Sequence, residues 1–380
     1  MQTLIRQNRD LRIDFFRGIA LWSMFIDHLI TGSLRAITFR QYGLCDSAEL
    51  FVLLSGVSAG MVYGKAALHK GVAAARSRML SRMLVLYRTQ LIMLLFFLAE
   101  AGYLLARLKP PSFLEFYGLQ GFAIQPYRSL LDGALMRYQP QYLDILPLYI
   151  VLLFLLYIGL PFQLRWPRSL LSVSAGVYVA TRLFHLHLPR WAGVWYFNPL
   201  AWQVIFVIGV VAESILSRRK YWLGWDVLAA LFALFSLVES HAVHLVRFVS
   251  TRLLVHVMVD EDKTNLHPLK LLSILALGWL AWRYIPAAAG WLRSRWAAPF
   301  LLLGQHSLPV FAVSVFLAMA GQAWLAVHSG FLSQVVIQGV GTLVLLGVAA
   351  GCGRNGRDTR AAISSRVLHE SKAAPAAITA

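Results

Sequence analysis

The sequence predicts an all-α polytopic membrane protein, a bundle of about ten transmembrane helices with both termini in the cytoplasm. Three observations support this fold class. Of the 380 residues, 58% are hydrophobic and only 14% are charged, and the mean hydropathy is +0.63. Apolar runs of about 20 residues, the length that a bilayer core roughly 30 Å thick requires of a helix, recur along the chain. Lys and Arg residues are concentrated in alternate connecting segments.

Ten windows have the length and composition of a membrane span. In chain order they are 15–34, 48–64, 85–106, 145–163, 170–185, 197–216, 222–241, 268–285, 298–320 and 332–351. We therefore expect one transmembrane domain over residues 1–351. The polar, basic and Ala-rich residues 352–380 are expected to form a disordered cytoplasmic tail.

The net charge of +18 is explained by this topology. With ten helices and both ends inside, the inner connecting segments hold 20 Lys and Arg residues in 86 positions, and the outer ones hold 10 in 99. An excess of Lys and Arg on the cytoplasmic side is the usual orientation signal of membrane proteins. The distribution argues against a nucleic-acid partner and is consistent with a bacterial inner membrane.

Three connecting segments are more than short links. Residues 65–84 are expected to be helical, with Arg78 and Arg82 one turn apart. Such a basic surface helix is attracted to anionic lipid, and a role in holding a phosphorylated ligand is an equal alternative. The predicted outer segments 107–144 and 242–267 are long enough to act as lids or binding walls.

The first window carries two charged side chains at a notable spacing. Arg17 and His28 are eleven residues apart, so on an α-helix they project from the same face, roughly 16 Å apart along the axis. Ionisable side chains inside membrane spans are costly and are functional candidates by default. Arg17 can also be interpreted as snorkelling, with Asp27 and His28 at the helix end. A histidine suits a general base because it exchanges a proton near neutral pH.

Other polar residues lie within or beside the predicted spans. They are Ser55, Arg88, Glu100, Asn198, Gln203, Asp226, Glu239, His306 and Ser307. Small residues such as Ser55 and Gly56 most often permit close helix packing. Cys and His residues show no zinc-type spacing, and no Gly-rich phosphate loop is present, so we expect no metal site and no permanently bound cofactor.

Five ordered segments resemble one known family. The stretch "RDLRIDFFRGIALWSMFIDH" resembles the opening of the OpgC family, which is related to the membrane acyltransferases of type 3 and their Arg-x10-His signature. Similar segments are "FRQYGLCDSAELFVLLSG" (39–56), "FNPLAWQ" (197–203), "DKTNLHPLKLL" (262–272) and "LGQHSLPVF" (303–311). The resemblance covers about residues 9–311, and the chain departs from the family pattern at "LITGSL" after His28 and at Val57.

The resemblance implies an inner-membrane O-acyltransferase with acyl-CoA as co-substrate. For OpgC proteins the acyl group is succinyl, from succinyl-CoA, and the acceptor is an osmoregulated periplasmic glucan. An acetyltransferase acting on another surface polysaccharide or on lipopolysaccharide is the alternative within this class. A polytopic transporter and a non-catalytic scaffold are alternatives from other classes. The implied partners are the bilayer, acyl-CoA and a periplasmic glycan, and the oligomeric state stays open.

This implication gives the polar residues candidate roles. His28, with Asp27 as its possible support, would act as the general base. Acyl-CoA would be held by Arg17, Arg76, Arg78, Arg82, Arg88 and Ser55. Acceptor or oxyanion candidates are Glu49, Asn198, Gln203, Lys263, Asn265, His306 and Ser307. The stretch from Asp262 to Asn265 would line the acceptor entrance with Lys263 facing a succinyl carboxylate, or it is a self-capped turn.

Overall fold

The computed structural model describes residues 10–30, 32–109, 112–188, 195–216, 223–245 and 263–373. All regular secondary structure within these ranges is helical. The helices are α1 (Leu11–His28), α2 (Ser47–Lys70), α3 (Val72–Leu108), α4 (Phe113–Phe116), α5 (Gln120–Ile124), α6 (Pro126–Ala134), α7 (Ile145–Arg165), α8 (Pro167–Phe184), α9 (Pro199–Leu216), α10 (Leu223–Leu245), α11 (Pro268–Tyr284), α12 (Ala298–Gln305), α13 (Ser307–Val327) and α14 (Phe331–Ala373). Short 3-10 helices occupy Ser33–Ile37, Phe39–Tyr42 and Gly290–Arg293.

Each of the ten predicted windows contains a helix, which confirms the all-helical class. Among the described residues, seven helices are long and apolar enough to cross a membrane. These candidate spans are Ser47–Lys70, Val72–Leu108, Ile145–Arg165, Pro199–Leu216, Leu223–His241, Ser307–Val327 and Phe331–Arg354. α1, α8 and α11 supply the remaining windows with 17 or 18 residues each. A count of ten spans and the cytoplasmic position of the termini stay predictions.

Two windows differ from the helices found. The first helix begins at Leu11, where the Asp10 side chain accepts a hydrogen bond from the Arg12 amide, and ends at His28 rather than at residue 34. The window 298–320 is divided at His306, where α12 ends and α13 begins.

The segment 65–84 is helical, as predicted, except for one turn at Gly71. α2 continues to Lys70, and α3 starts at Val72. Gly71 has φ +85°, a conformation that glycine adopts at little cost because it lacks a Cβ atom.

The last helix extends into the segment for which a disordered tail is expected. α14 runs through residues 352–373, and 374–380 lie outside the described residues.

Two helix pairs pack with their backbones in direct contact. A Cβ atom at Gly18 of α1 would lie 1.8 Å from the Phe300 carbonyl oxygen, and one at Gly304 of α12 would lie 1.8 Å from the Asp14 carbonyl oxygen. Small residues permit such close approach in membrane bundles, where lipid supplies no hydrophobic driving force between helices. The contact fixes α12 against the first half of α1.

The α2–α9 pair uses the same device. A Cβ atom at Gly56 would lie 2.1 Å from the Phe206 carbonyl oxygen, and one at Gly60 would lie 2.2 Å from that of Val210. The packing role predicted for Gly56 is therefore confirmed.

We predict that Gly56→Ala destabilises the protein by about 1–3 kcal/mol, because the new methyl group forces α2 and α9 apart. The matched control is Gly102→Ala, since nothing lies within 4 Å of the Cβ position of Gly102 in α3. Thermal unfolding of the purified protein in detergent measures both. Equal unfolding temperatures for the two variants would contradict the packing argument.

Candidate functional site

A cavity of about 550 Å³ lies at the end of the bundle where α1 finishes, which we call the His28 end. The opposite end, where α1 begins, is called the Arg17 end. The charged or titratable side chains of the cavity wall are Asp27, His28, Arg35, Arg40, Asp46, Glu115, Asp144 and Lys263. The aromatic side chains of the wall are Phe116, Tyr142, Tyr196, Phe197 and Phe311. The wall thus unites segments that are far apart in sequence.

A second cavity, of about 480 Å³, has a different chemistry. It lies between α1, α2, α9 and α11, and its wall is apolar apart from Arg12 and the indole nitrogens of Trp279 and Trp282. None of the candidate site residues lines it. The His28 cavity is therefore the candidate active site.

His28 is half-buried and is held by Tyr142. The two rings are stacked, with centroids 3.8 Å apart and planes 22° apart. The Tyr142 hydroxyl donates a hydrogen bond of 3.4 Å to the backbone carbonyl of His28. The buried His28 Nδ1 atom has no hydrogen-bond partner among the described residues.

Asp27, the residue expected to support His28, is instead bonded to Thr38. Its carboxylate accepts a hydrogen bond of 2.7 Å from the Thr38 hydroxyl. Thr38 joins the two 3-10 helices that carry Arg35 and Arg40 to the cavity wall. Asp27 therefore anchors this connecting segment.

The segment 107–144 forms a wall of the cavity, as its length predicts. Glu115 and Phe116 come from α4, and Tyr142 precedes α7. The Gln141 amide donates a hydrogen bond of 3.1 Å to the Tyr117 carbonyl, which ties the two parts of the segment together. Most of the other long segment, 242–267, lies outside the described residues.

A buried ion cluster stands beside His28. Lys263 Nζ lies 2.5 Å from Asp46 Oδ2, and the fully buried Lys270 lies 3.9 Å from the same oxygen. Asp46 caps α2 by accepting a bond from the Ala48 amide, and Glu49 completes the capping box by accepting one from the Asp46 amide.

Each ion stabilises the charge of the other. Burial alone would raise the pKa of the Asp46 carboxyl, but the ammonium groups of Lys263 and Lys270 outweigh it and hold that pKa well below its ordinary value. Burial alone would lower the pKa of Lys263, but Asp46, Tyr196 and Glu49 together raise it above its ordinary value. Both groups are therefore charged at neutral pH.

The turn that carries Lys263 is held from α8 and α9. Trp202 Nε1 donates to the carbonyls of Lys263 and Thr264, at 3.2 and 3.1 Å. The Tyr178 hydroxyl donates to the Leu266 carbonyl at 2.7 Å. Asp262, the first residue of the charged stretch quoted above, lies outside the described residues.

Asn198 and Asn265 are brought together in holding this turn. The Asn198 amide group donates to Asn265 Oδ1 at 2.9 Å and to the Leu186 carbonyl at 2.7 Å. The Gln203 side chain instead bonds Ser174 on α8, through both its carbonyl and its amide group. These contacts favour a structural role for Asn198 and Gln203.

Glu49 is fully buried but does not line the cavity. One oxygen accepts from the Asp46 amide, and the other, Oε1, has no hydrogen-bond partner among the described residues. Glu49 therefore contacts Asp46, which lines the cavity, without lining it itself.

Arg17 contacts α2 at the level of Ser58. One guanidinium nitrogen donates to the Ser58 hydroxyl at 2.5 Å and to the Leu54 carbonyl at 3.4 Å, and Asp14 lies 4.0 Å away. α1 is continuous from Leu11 to His28, so the predicted shared face of Arg17 and His28 holds. Ser55 is buried, and Ser58, three residues further along α2, makes the contact with Arg17.

The basic residues of α3 do not form one group. Tyr149 lies within electrostatic range of both Arg17 and Arg82. Arg76 is held by Tyr157, through a 3.1 Å bond to its carbonyl and a cation–π contact of 5.0 Å. Arg78 and Arg88 are exposed, and Arg88 lies about 240° around the helix from Arg82.

His306 and Ser307 lie at the Arg17 end and not beside His28. They follow Gly304, whose Cβ position abuts the Asp14 carbonyl. The structure therefore separates them from the cavity that contains His28.

Several residues of the cavity wall and of the ion cluster beside it were not predicted from the sequence. Lys270 has a signal that sequence reasoning can use, because it is an ionisable residue inside the window 268–285. Arg35, Arg40 and Tyr142 lie in connecting segments, and no spacing rule relates them to His28. The described part of the chain contains no group of three His, Cys, Asp or Glu side chains able to hold a metal ion.

With this geometry established, the chain can be compared with known proteins. A family model described as "OpgC protein" matches residues 9–357. The chain belongs to the OpgC family. Comparison with curated proteins and with solved structures yields no match. Family membership and the long apolar helices indicate an acyltransferase-type function in a multi-pass membrane protein.

We predict that the Asp46–Lys263 pair has a coupling energy of about 1–3 kcal/mol in a double-mutant cycle. Lys263→Met and Asp46→Asn should each destabilise the protein, because each leaves a partly buried partner with less compensation. The double variant should be more stable than the sum of the single losses implies. Unfolding in detergent at pH 7 measures the cycle, and additive losses would contradict the prediction.

Proposed function

We propose that this OpgC family member is an inner-membrane O-acyltransferase. It would transfer an acyl group, with succinyl as the first candidate, from cytoplasmic acyl-CoA to hydroxyl groups of a periplasmic glycan, with an osmoregulated glucan as the first candidate. The observation that carries the proposal is the His28 cavity, because it places a half-buried imidazole beside aromatic, amide and carboxylate side chains.

The cavity wall suits a sugar chain. Phe116 and Tyr196 supply aromatic faces on which sugar rings can pack, and Gln139 and Gln141 supply amide groups for hydroxyls. Binding sites of this kind combine apolar surface with a few polar groups that fix orientation. A cavity of about 550 Å³ has room for a short glycan segment rather than a whole polymer.

His28 would accept the proton of a sugar hydroxyl as its oxygen attacks the thioester carbonyl. The new C–O bond forms, the C–S bond breaks, and the departing thiolate takes the proton from the imidazolium. Asp27 would contribute indirectly by holding Thr38, since its carboxylate is bonded to that hydroxyl.

The donor would be held from the Arg17 end. Arg17 and Arg82 lie near Tyr149, and Arg guanidinium groups suit phosphate recognition. A succinyl carboxylate that reached the cavity would compete with Asp46 for Lys263. The oxyanion would be stabilised within the His28 cavity and not by His306 or Ser307, which lie at the other end.

We predict that His28→Ala abolishes glycan acylation while the protein stays folded in the membrane, because the hydroxyl loses its proton acceptor. Mass spectrometry of periplasmic glycans, with and without the protein, measures the outcome. The mass increment identifies the acyl group, and the carrier identifies the acceptor. His69→Ala is the control, since His69 is exposed at the Arg17 end of α2. Near-normal acylation in the His28 variant would rule out the mechanism.

We predict that Arg17→Ala acts mainly on the donor and raises the KM for acyl-CoA by about tenfold, which corresponds to about 1.4 kcal/mol. Turnover of labelled acyl-CoA by the purified protein tests this. An unchanged KM with a collapsed kcat would contradict the assignment, as would an equal effect of Arg88→Ala, which removes an exposed arginine of α3.

A further inference from the structure

Within the described ranges, no carboxylate is hydrogen-bonded to His28, although such a carboxylate usually orients a catalytic imidazole. Its buried Nδ1 has no hydrogen-bond partner among the described residues, and the neighbouring Asp27 is bonded to Thr38. In the part of the chain that the structure describes, no hydrogen bond to Nδ1 sets the plane of the imidazole ring.

Tyr142 contacts His28 in two independent ways. Its ring is stacked on the imidazole at 3.8 Å, and its hydroxyl donates to the His28 backbone carbonyl at 3.4 Å. That carbonyl is one of the last four of α1, and these accept no hydrogen bond from an N–H group of the same helix. One side chain thus contacts both the ring and the backbone of the same residue.

The backbone of Tyr142 is itself in an unfavourable conformation. Its φ is +73°, which is uncommon for any residue with a Cβ atom. Strained residues of this kind persist where the surroundings over-determine them, and they cluster at functional sites.

The surroundings of Tyr142 supply that constraint. The buried Gln90 of α3 donates its side-chain amide to the Leu143 carbonyl at 3.1 Å. The Gln141 amide donates to the Tyr117 carbonyl at 3.1 Å. Tyr142 is therefore held on both sides by bonds to separate elements, and its ring has a fixed place beside His28.

We infer that Tyr142 is the positioning residue for His28, which it orients by ring stacking and not by a hydrogen bond to the imidazole. The inference rests on the proposed function in that His28 is the general base. A misplacement of about 1 Å in a reacting group can lower the rate about 100-fold, so loss of the stacked ring is expected to act on kcat.

Three variants distinguish the effect of the stacked Tyr142 ring from the effects of its hydroxyl group and of its strained backbone. Tyr142→Phe keeps the ring and loses only the long 3.4 Å bond. Tyr142→Leu removes the stacked ring. Tyr142→Gly removes the ring and also relieves the backbone, which keeps a folded ring-free variant available if the Leu variant does not fold. Tyr127→Leu is the matched control, because Tyr127 lies in the same segment and is 89% exposed.

Turnover of labelled acyl-CoA with a glycan acceptor gives kcat and KM for the purified full-length variants. We expect kcat to fall about 10–100-fold for Tyr142→Leu and Tyr142→Gly, with KM values within about threefold of the wild type. Tyr142→Phe and Tyr127→Leu should retain at least half of the wild-type kcat. A wild-type kcat in the ring-free variants, or a loss confined to the KM of the glycan, would overturn the inference.

A second measurement does not depend on acyl transfer. Diethylpyrocarbonate modifies exposed imidazoles, and peptide mass spectrometry reports its rate at His28 alone. We expect faster modification in the ring-free variants and a wild-type rate in Tyr142→Phe. An unchanged rate in Tyr142→Leu and Tyr142→Gly would overturn the inference. If the wild-type protein transfers no acyl group, the proposed function fails, and the modification rates still decide whether Tyr142 holds the ring.

Discussion

The direct backbone contact between helices at glycine residues is the constraint on which the site depends. Gly18 and Gly304 bring α1 and α12 together, and Gly56 and Gly60 bring α2 and α9 together. These helices carry the parts of the site, because α1 presents Arg17 and His28, α2 begins beside Asp46, and α9 begins beside Asn198. An extra methyl group at any of the four contacts would shift a helix that holds one of these parts.

The ion pair near His28 is a second constraint on the site, because it joins α2 to the turn that carries Lys263. Asp46 caps the N-terminus of α2 and also forms the ion pair with Lys263. That turn is held in addition by Trp202, Asn198 and Tyr178, so three helices and a connecting turn meet at one point. Because breaking a buried ion pair is costly, this meeting point keeps the cavity wall in one arrangement.

Much of the fold could be predicted from the sequence because the signals are local. Apolar run length is a property of consecutive residues, and each of the ten windows contains a helix. The shared face of Arg17 and His28 follows from the helical repeat alone. The break at His306 was missed because the apolar run continues across it on both sides.

The composition of the site was harder to predict because its contacts span long stretches of chain. Tyr142 is 114 residues from His28, and Lys263 is 217 residues from Asp46. His306 and Ser307 were candidates for the same reason as His28, because they are polar residues in a predicted membrane span. They nevertheless lie at the other end of the bundle. Helical geometry places residues along one helix, and only tertiary packing decides which helices share a level.

The length of α3 has a mechanical consequence. Its 37 residues make a rod of about 55 Å, well beyond a hydrocarbon core of about 30 Å. Arg76 and Arg82 lie on one half of this rod, and Gln90, which is bonded beside Tyr142, lies near its middle. A rigid-body tilt of α3 therefore moves these arginines and the Gln90 bond together. The helix thus couples the Arg17 end of the bundle to the segment that holds Tyr142.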